Sequence, residues 1–112
     1  MEENLTKKIK KELRYLDGVA YERNLDLELA KLHAQFLRWE EKQISGFELT
    51  ELIHKYHQGP ARDLYLLYQG TSMNSIRVAR AIVDNLIAPS EVSEETLAAI
   101  ANQVNFLKNE EN

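Results

Sequence analysis

Residues 19–43 read VAYERNLDLELAKLHAQFLRWEEKQ, and their spacing decides the fold. Leu25, Leu29, Leu32, Phe36 and Trp39 recur at steps of four, three, four and three, which is a heptad seam. At ~1.5 Å per residue such a helix spans ~37 Å, longer than a small globule needs. It must pack along another long helix, in the same chain or in a partner. Leu27, Ala30, Leu37 and Ile44 broaden its apolar surface. That breadth predicts burial on two sides and places Trp39, beside Phe36, in a packed interior.

Upstream, Leu5, Ile9, Leu13, Leu16 and Ala20 also recur at helical spacing. Asp17-Gly18 is a turn signal, yet the apolar pattern resumes at once with Val19, Ala20 and Tyr21. Two outcomes stay open. A break at Gly18 gives a hairpin, in which segment 3–17 folds back over the seam and the protein can be a monomer. A continuous helix tolerates the glycine at ~1 kcal/mol relative to alanine. Its apolar stripe then needs a partner, and a symmetric homodimer is the commonest solution.

Downstream, Ser45 and Glu48 form a capping box, with Ile44 and Leu49 at the positions of a hydrophobic staple. A helix over 46–58 turns Leu49, Leu52, Ile53 and Tyr56 inward. Gly59-Pro60 stops or kinks it, and Pro60 opens a helix over 60–69 that ends at Gly70. Thr71 or Ser72 caps a helix over 73–88, which Pro89 ends. Ser90 or Ser93 caps the last helix, with Leu97, Ile100, Ala101, Val104 and Leu107 as its stripe. No polar–apolar alternation predicts a strand. The expected fold is all-α: a long N-terminal amphipathic helix or helical hairpin packed with four shorter helices in a small bundle. One domain covers 1–112, with the helix or hairpin over 1–44, a compact cluster over 45–108 and a frayed tail over 109–112.

The 112 residues, 44% hydrophobic and 29% charged, suit a single globular domain. There is no cysteine, which excludes disulfides, zinc–thiolate sites and cysteine catalysis. No apolar run approaches the ~18 residues of a membrane span. MEENLTKKIKKEL lacks the features of a secretory signal, so the expected location is the cytoplasm. The net charge of −4 weighs against a nucleic-acid partner, and KKIKK over 7–11 reads as the solvated face of a helix.

The densest polar and aromatic stretch runs from Glu51 to Tyr65. His54 and His57 stand three apart and are helical neighbours, but Glu51 converges poorly with them as a third ligand. The spacing of the common zinc-protease signature is absent, and His33 helps only if the fold brings it near. No metal and no cofactor is expected. Arg62, in the first turn of a helix opened by Pro60, would lie among free N–H groups, with His57 across the Gly59 corner. That makes an anion-site candidate. The competing role for Arg62 is a salt bridge to Glu40, Glu41 or Glu51. Tyr56, Tyr65, Tyr68, Phe47 and Trp39 read as core and core-edge aromatics. Gly70-Thr-Ser before Arg77 and Arg80 imitates a helix-turn-helix, which the acidic C-terminal third opposes. There is no nucleophile elbow and no phosphate-binding glycine loop, and the serines read as caps, so no catalytic residue is assigned. The expected function is a protein–protein interaction or scaffold module, acting through the seam Leu25, Leu29, Leu32, Phe36 and Trp39 on a protein partner or a second copy. The alternative is a small-ligand, anion or metal-binding protein that uses the corner of His54, His57 and Arg62.

Overall fold

Lys7 to Glu40 form one continuous helix of 34 residues, α1, so the turn signal at Asp17-Gly18 does not break it. Two local facts explain this. The Asp17 carboxylate, which would otherwise cap a turn, is held by Arg77. Gly18 is exposed within a regular helix, and a methyl group there would meet nothing within 4 Å. Gly18→Ala is therefore expected to raise stability by about 1 kcal/mol, because alanine loses less backbone freedom on folding. A urea denaturation midpoint that fails to rise would contradict this.

The computed structural model describes residues 5–70 and 72–110. The fold is all-α, with no strand among the described residues. After α1 come α2 (Gly46–Tyr56), a π-turn (His57–Ala61), α3 (Arg62–Leu67), α4 (Asn74–Val83), a 3₁₀ turn (Pro89–Glu91), α5 (Glu94–Ala99) and α6 (Ala101–Glu110). Among these residues no helix is long and apolar enough to cross a membrane. The chain divides into two compact units, one of residues 1–20 and 70–112 and one of residues 21–69. The division falls inside α1. The readings that touch residues 1–4, Thr71 as a cap, and residues 111 and 112 lie outside the described residues. Asn109 and Glu110, expected in the frayed tail, instead close α6.

The first unit carries most of the buried apolar residues. Ile9, Leu13, Leu16 and Ala20 line one stripe of α1, and Val78, Ala79, Ala81 and Ile82 are the buried face of α4. Ile87, Val92, Ile100 and Leu107 complete this core. Helix α4 ends earlier than Pro89 would require. Asn85 takes a left-handed φ of 63°, the Leu86 N–H donates to the Ala81 carbonyl, and the Asn85 N–H donates to the Ile82 carbonyl. That is a Schellman stop, with asparagine where the backbone needs positive φ. The last expected helix is two, α5 and α6, joined at the fully buried Ile100.

Two polar anchors tie α1 to the rest of this unit. Arg77 is buried and grips Asp17 with two hydrogen bonds, Nε to Oδ1 at 2.9 Å and Nη2 to Oδ2 at 2.8 Å. The same Nη2 reaches the Gly70 carbonyl at 2.7 Å and Asn74 Oδ1 at 2.9 Å. Gly70 itself has φ 76°, a conformation that side chains disfavour. One turn of α1 before Leu16, Glu12 accepts from the Ser93 N–H at 2.8 Å, Ser93 Oγ at 2.6 Å and Thr96 Oγ1 at 2.7 Å. Ser93 meanwhile caps α5 by accepting from the Thr96 N–H.

Partial burial acts to raise the Glu12 pKa, but the donors from Ser93 and Thr96 and the charge of Lys8 outweigh it and hold the carboxyl below its ordinary range. A depressed folded-state pKa contributes stability above the unfolded value and loses it as pH falls through the folded value. Glu12→Gln is expected to cost about 1–2 kcal/mol at neutral pH, as the loss of charge-assisted hydrogen bonds. The difference from wild type should shrink as pH drops through the carboxylate range. Urea titrations at neutral and acid pH check this, and a pH-independent difference would refute it.

Candidate interaction surface

The second unit is a helical hairpin: the distal part of α1, from Tyr21 to Glu40, runs antiparallel to α2, the π-turn and α3. Both ends of the hairpin are fixed by local chemistry. At the closed end Lys42 adopts φ 62°, the Gln43 N–H donates to the Arg38 carbonyl at 2.8 Å, and the Lys42 N–H donates to the Trp39 carbonyl at 3.0 Å. This is a second Schellman stop. Ser45 then caps α2, with its Oγ accepting from the Glu48 N–H at 3.0 Å and Glu48 Oε1 accepting from the Ser45 N–H at 2.8 Å. Ile44 and Leu49, the staple pair, are both buried. At the open end the Tyr21 and Tyr68 rings stack at 4.8 Å, and Asn24 Nδ2 donates to the Tyr68 hydroxyl at 2.8 Å.

Gly59-Pro60 does not end a helix. Tyr56, His57, Ala61 and Arg62 all keep right-handed helical backbone, and a π-turn joins α2 to α3. Proline has no N–H to give, and its ring crowds the carbonyl four residues back. Widening the helix by one residue removes both conflicts. The consequence for Arg62 is direct. It sits within a helical run instead of at a helix start, so the free N–H groups that would make an anion site with it are not there. It forms no ion pair with Glu40, Glu41, Glu51 or any other described residue.

His57 and Arg62 do come together, with Gln58, Ala61 and Tyr65, along an open groove of about 690 Å³. His54 is exposed and does not line it, and His57 is exposed instead of lying at the core edge. His33 is exposed on α1. Among the described residues no three His, Cys, Asp or Glu side chains gather closely enough to hold a metal.

The heptad seam is the larger correction. Leu25 and Leu32 are half-buried, but Leu29, Phe36 and Trp39 are 45%, 37% and 44% exposed. Burial on two sides does not occur, because α1 is continuous through Gly18 and forms no hairpin there. Between Tyr21 and Glu40 the half-buried positions of α1 are Tyr21, Arg23, Asn24, Leu25, Glu28, Leu32 and Gln35. Tyr21, Leu25, Glu28, Leu32 and Gln35 make their own heptad, which shares Leu25 and Leu32 with the expected one. The face toward α2 and α3 is thus turned round the helix, and Leu29 and Phe36 project to one side of it. The expected core aromatics divide likewise: Tyr56 and Tyr68 are half-buried, while Tyr65 and Phe47 are exposed.

At about 100° per residue, the antiparallel register puts Ile53 and Tyr65 on the same flank as Leu29 and Phe36. They are 38% and 56% exposed. The opposite flank carries Lys31, Gln35, Arg38, Glu48, Lys55 and Asp63. There Lys31 pairs with Glu28 at 3.0 Å and Arg38 donates to Gln35 at 2.8 Å. The first flank carries a run of exposed apolar side chains; the opposite flank is mainly polar, with Leu27 one turn before Lys31 and Leu67 one turn after Asp63 as its exposed apolar residues. Glu22 and Asp26 border the apolar flank on α1, and His57 and Arg62 border it on α2 and α3. Glu22 and Asp26, like Arg62, form no ion pair with a described residue. The sequence reading turned Ile53 inward beside Leu52 and took Tyr65 for a core or core-edge aromatic, whereas both are exposed.

No protein-family model, curated protein or solved structure matches the chain.

Proposed function

We propose that this protein is a protein–protein interaction module of the cytoplasm, whose contact surface is the apolar flank of the hairpin. The observation that supports this reading is the one-sidedness of that surface. Single exposed apolar residues are ordinary on any protein. Leu29, Phe36, Ile53 and Tyr65 instead share one flank with the half-buried Leu25 and Leu32, while the opposite flank is mainly charged, with Leu27 and Leu67 set singly among its polar residues. A contiguous apolar patch rimmed by polar residues marks a binding surface. A chain without cysteine needs no oxidising compartment.

The test is capture from native extract with the full chain immobilised, in wild-type form and as Leu29→Glu/Phe36→Glu. A defined protein that binds the wild type and is lost from the folded double variant supports the module. Identical capture by both forms, or none by either, would sink it.

A further inference from the structure

We infer that the occupant of this flank is a second copy of the chain, so that two hairpins close into an antiparallel four-helix bundle about a two-fold axis parallel to the helices. The inference rests on the interaction reading above and names its partner.

Area is the first ground. A fully exposed aromatic side chain offers ~150–250 Å², so Phe36 and Tyr65 at their observed exposures, with Leu25, Leu29, Leu32 and Ile53, present about 400 Å² of apolar surface. Interfaces are ~57% apolar overall, which makes this the apolar share of about 700 Å². Specific interfaces bury roughly 600–1,000 Å² per partner.

Register is the second. The contact of Tyr21 and Asn24 with Tyr68 sets the heights of the two arms. At 1.5 Å per residue Leu25 is level with Tyr65, Leu29 with Ala61, and Phe36 with Ile53. A two-fold axis parallel to the helices keeps heights equal and lays α1 of one copy over α2 and α3 of the other. Each large α1 side chain then meets a residue of the partner's second arm at its own height. Every neighbouring pair of helices is antiparallel, as in up-and-down bundles.

Charge is the third. The same operation brings the acidic border of α1, Glu22 and Asp26, against the border of the other copy that carries His57 and Arg62. Asp26 comes within one turn of Arg62 of the second copy. A two-fold axis perpendicular to the helices, setting α1 against α1, would instead place Glu22 and Asp26 beside Glu40. Complementary rims fix register and suppress the wrong arrangement. Arg62, which has no ion pair with a described residue of its own chain, gains one.

Sedimentation equilibrium of the full chain decides the matter. A mass of about 26 kDa, twice the 13.0 kDa chain, that falls toward the monomer on dilution is expected. A mass of 13.0 kDa up to several hundred micromolar overturns the dimer. If flank-dependent capture of a different protein persists in that case, the interaction reading survives and only its partner was wrong; if nothing is captured, both fall. Phe36→Glu should weaken the dimer by ~100-fold or more. Because that variant can disturb the hairpin, the decisive pair is exposed: Asp26→Arg and Arg62→Asp should each weaken the dimer by ~10-fold, and the double variant should recover most of the loss. Equal weakening in singles and double would overturn the proposed register. Leu37→Glu, on the far side of α1, should leave the dimer intact, and its dissociation would overturn the assignment of the flank.

Discussion

Arg77→Ala is expected to cost about 3–5 kcal/mol, the largest effect of any polar substitution in this chain. The magnitude follows from what would be left behind. Arg77 and Asp17 are both buried, and the guanidinium also satisfies the Gly70 carbonyl and Asn74 Oδ1. Removing it leaves a buried carboxylate, a carbonyl and an amide oxygen without their donor. No buried side-chain nitrogen or oxygen among the described residues lacks a partner in the wild type, so the variant creates a defect that the fold otherwise avoids. Against a total stability of roughly 5–15 kcal/mol, a loss of this size takes the first unit close to unfolding. The pair is not thereby a large net source of stability, since bringing both charges out of water is itself expensive. Asp17→Leu with Arg77→Met should therefore be much milder than either single change, within ~1–2 kcal/mol of wild type or better. Urea denaturation followed by helical circular dichroism measures all four proteins. A double variant as damaged as Arg77→Ala would show that the network does more than neutralise its own burial.

That network also shows where sequence reading stops. Asp17 and Arg77 are 60 residues apart, and each has a plausible local role: the aspartate as turn former before Gly18, the arginine as part of a helix-turn-helix imitation. Only their meeting reveals that Asp17 serves the core, and that α1 therefore continues. Features set by neighbouring residues were legible. The stripe Ile9, Leu13, Leu16 and Ala20 is buried as its spacing implies, and the capping box of Ser45 and Glu48 forms as written. Gly59-Pro60 sits between these cases. Its residues demand a disturbance, but whether the helix breaks or widens depends on packing that the dipeptide does not encode. For the proposed binding surface, Leu25, Leu29, Leu32 and Phe36 were picked out by their period. Which of them would face the second arm was hidden, because the true inner heptad includes Tyr21, Glu28 and Gln35, and two of those are polar.

The same distinction gives the second large effect. Leu13 and Leu29 are the same residue on the same helix, both placed by period on an apolar stripe. Leu13 is 2% exposed and Leu29 45%. Leu13→Ala is expected to cost about 2–5 kcal/mol, the transfer term plus the cavity that a close-packed core fails to collapse. Leu29→Ala removes a side chain that is already half in water, leaves no enclosed cavity, and should cost about 1 kcal/mol when the chain is dilute enough to be monomeric. At concentrations where copies associate, Leu29→Ala should gain a further penalty that Leu13→Ala lacks, because only Leu29 lies on the apolar flank. Denaturation midpoints of both variants at low and high protein concentration separate the two roles. If Leu13→Ala and Leu29→Ala shift the midpoint equally at every concentration, burial along α1 is uniform, and the division of the helix into a core half and a binding half is wrong.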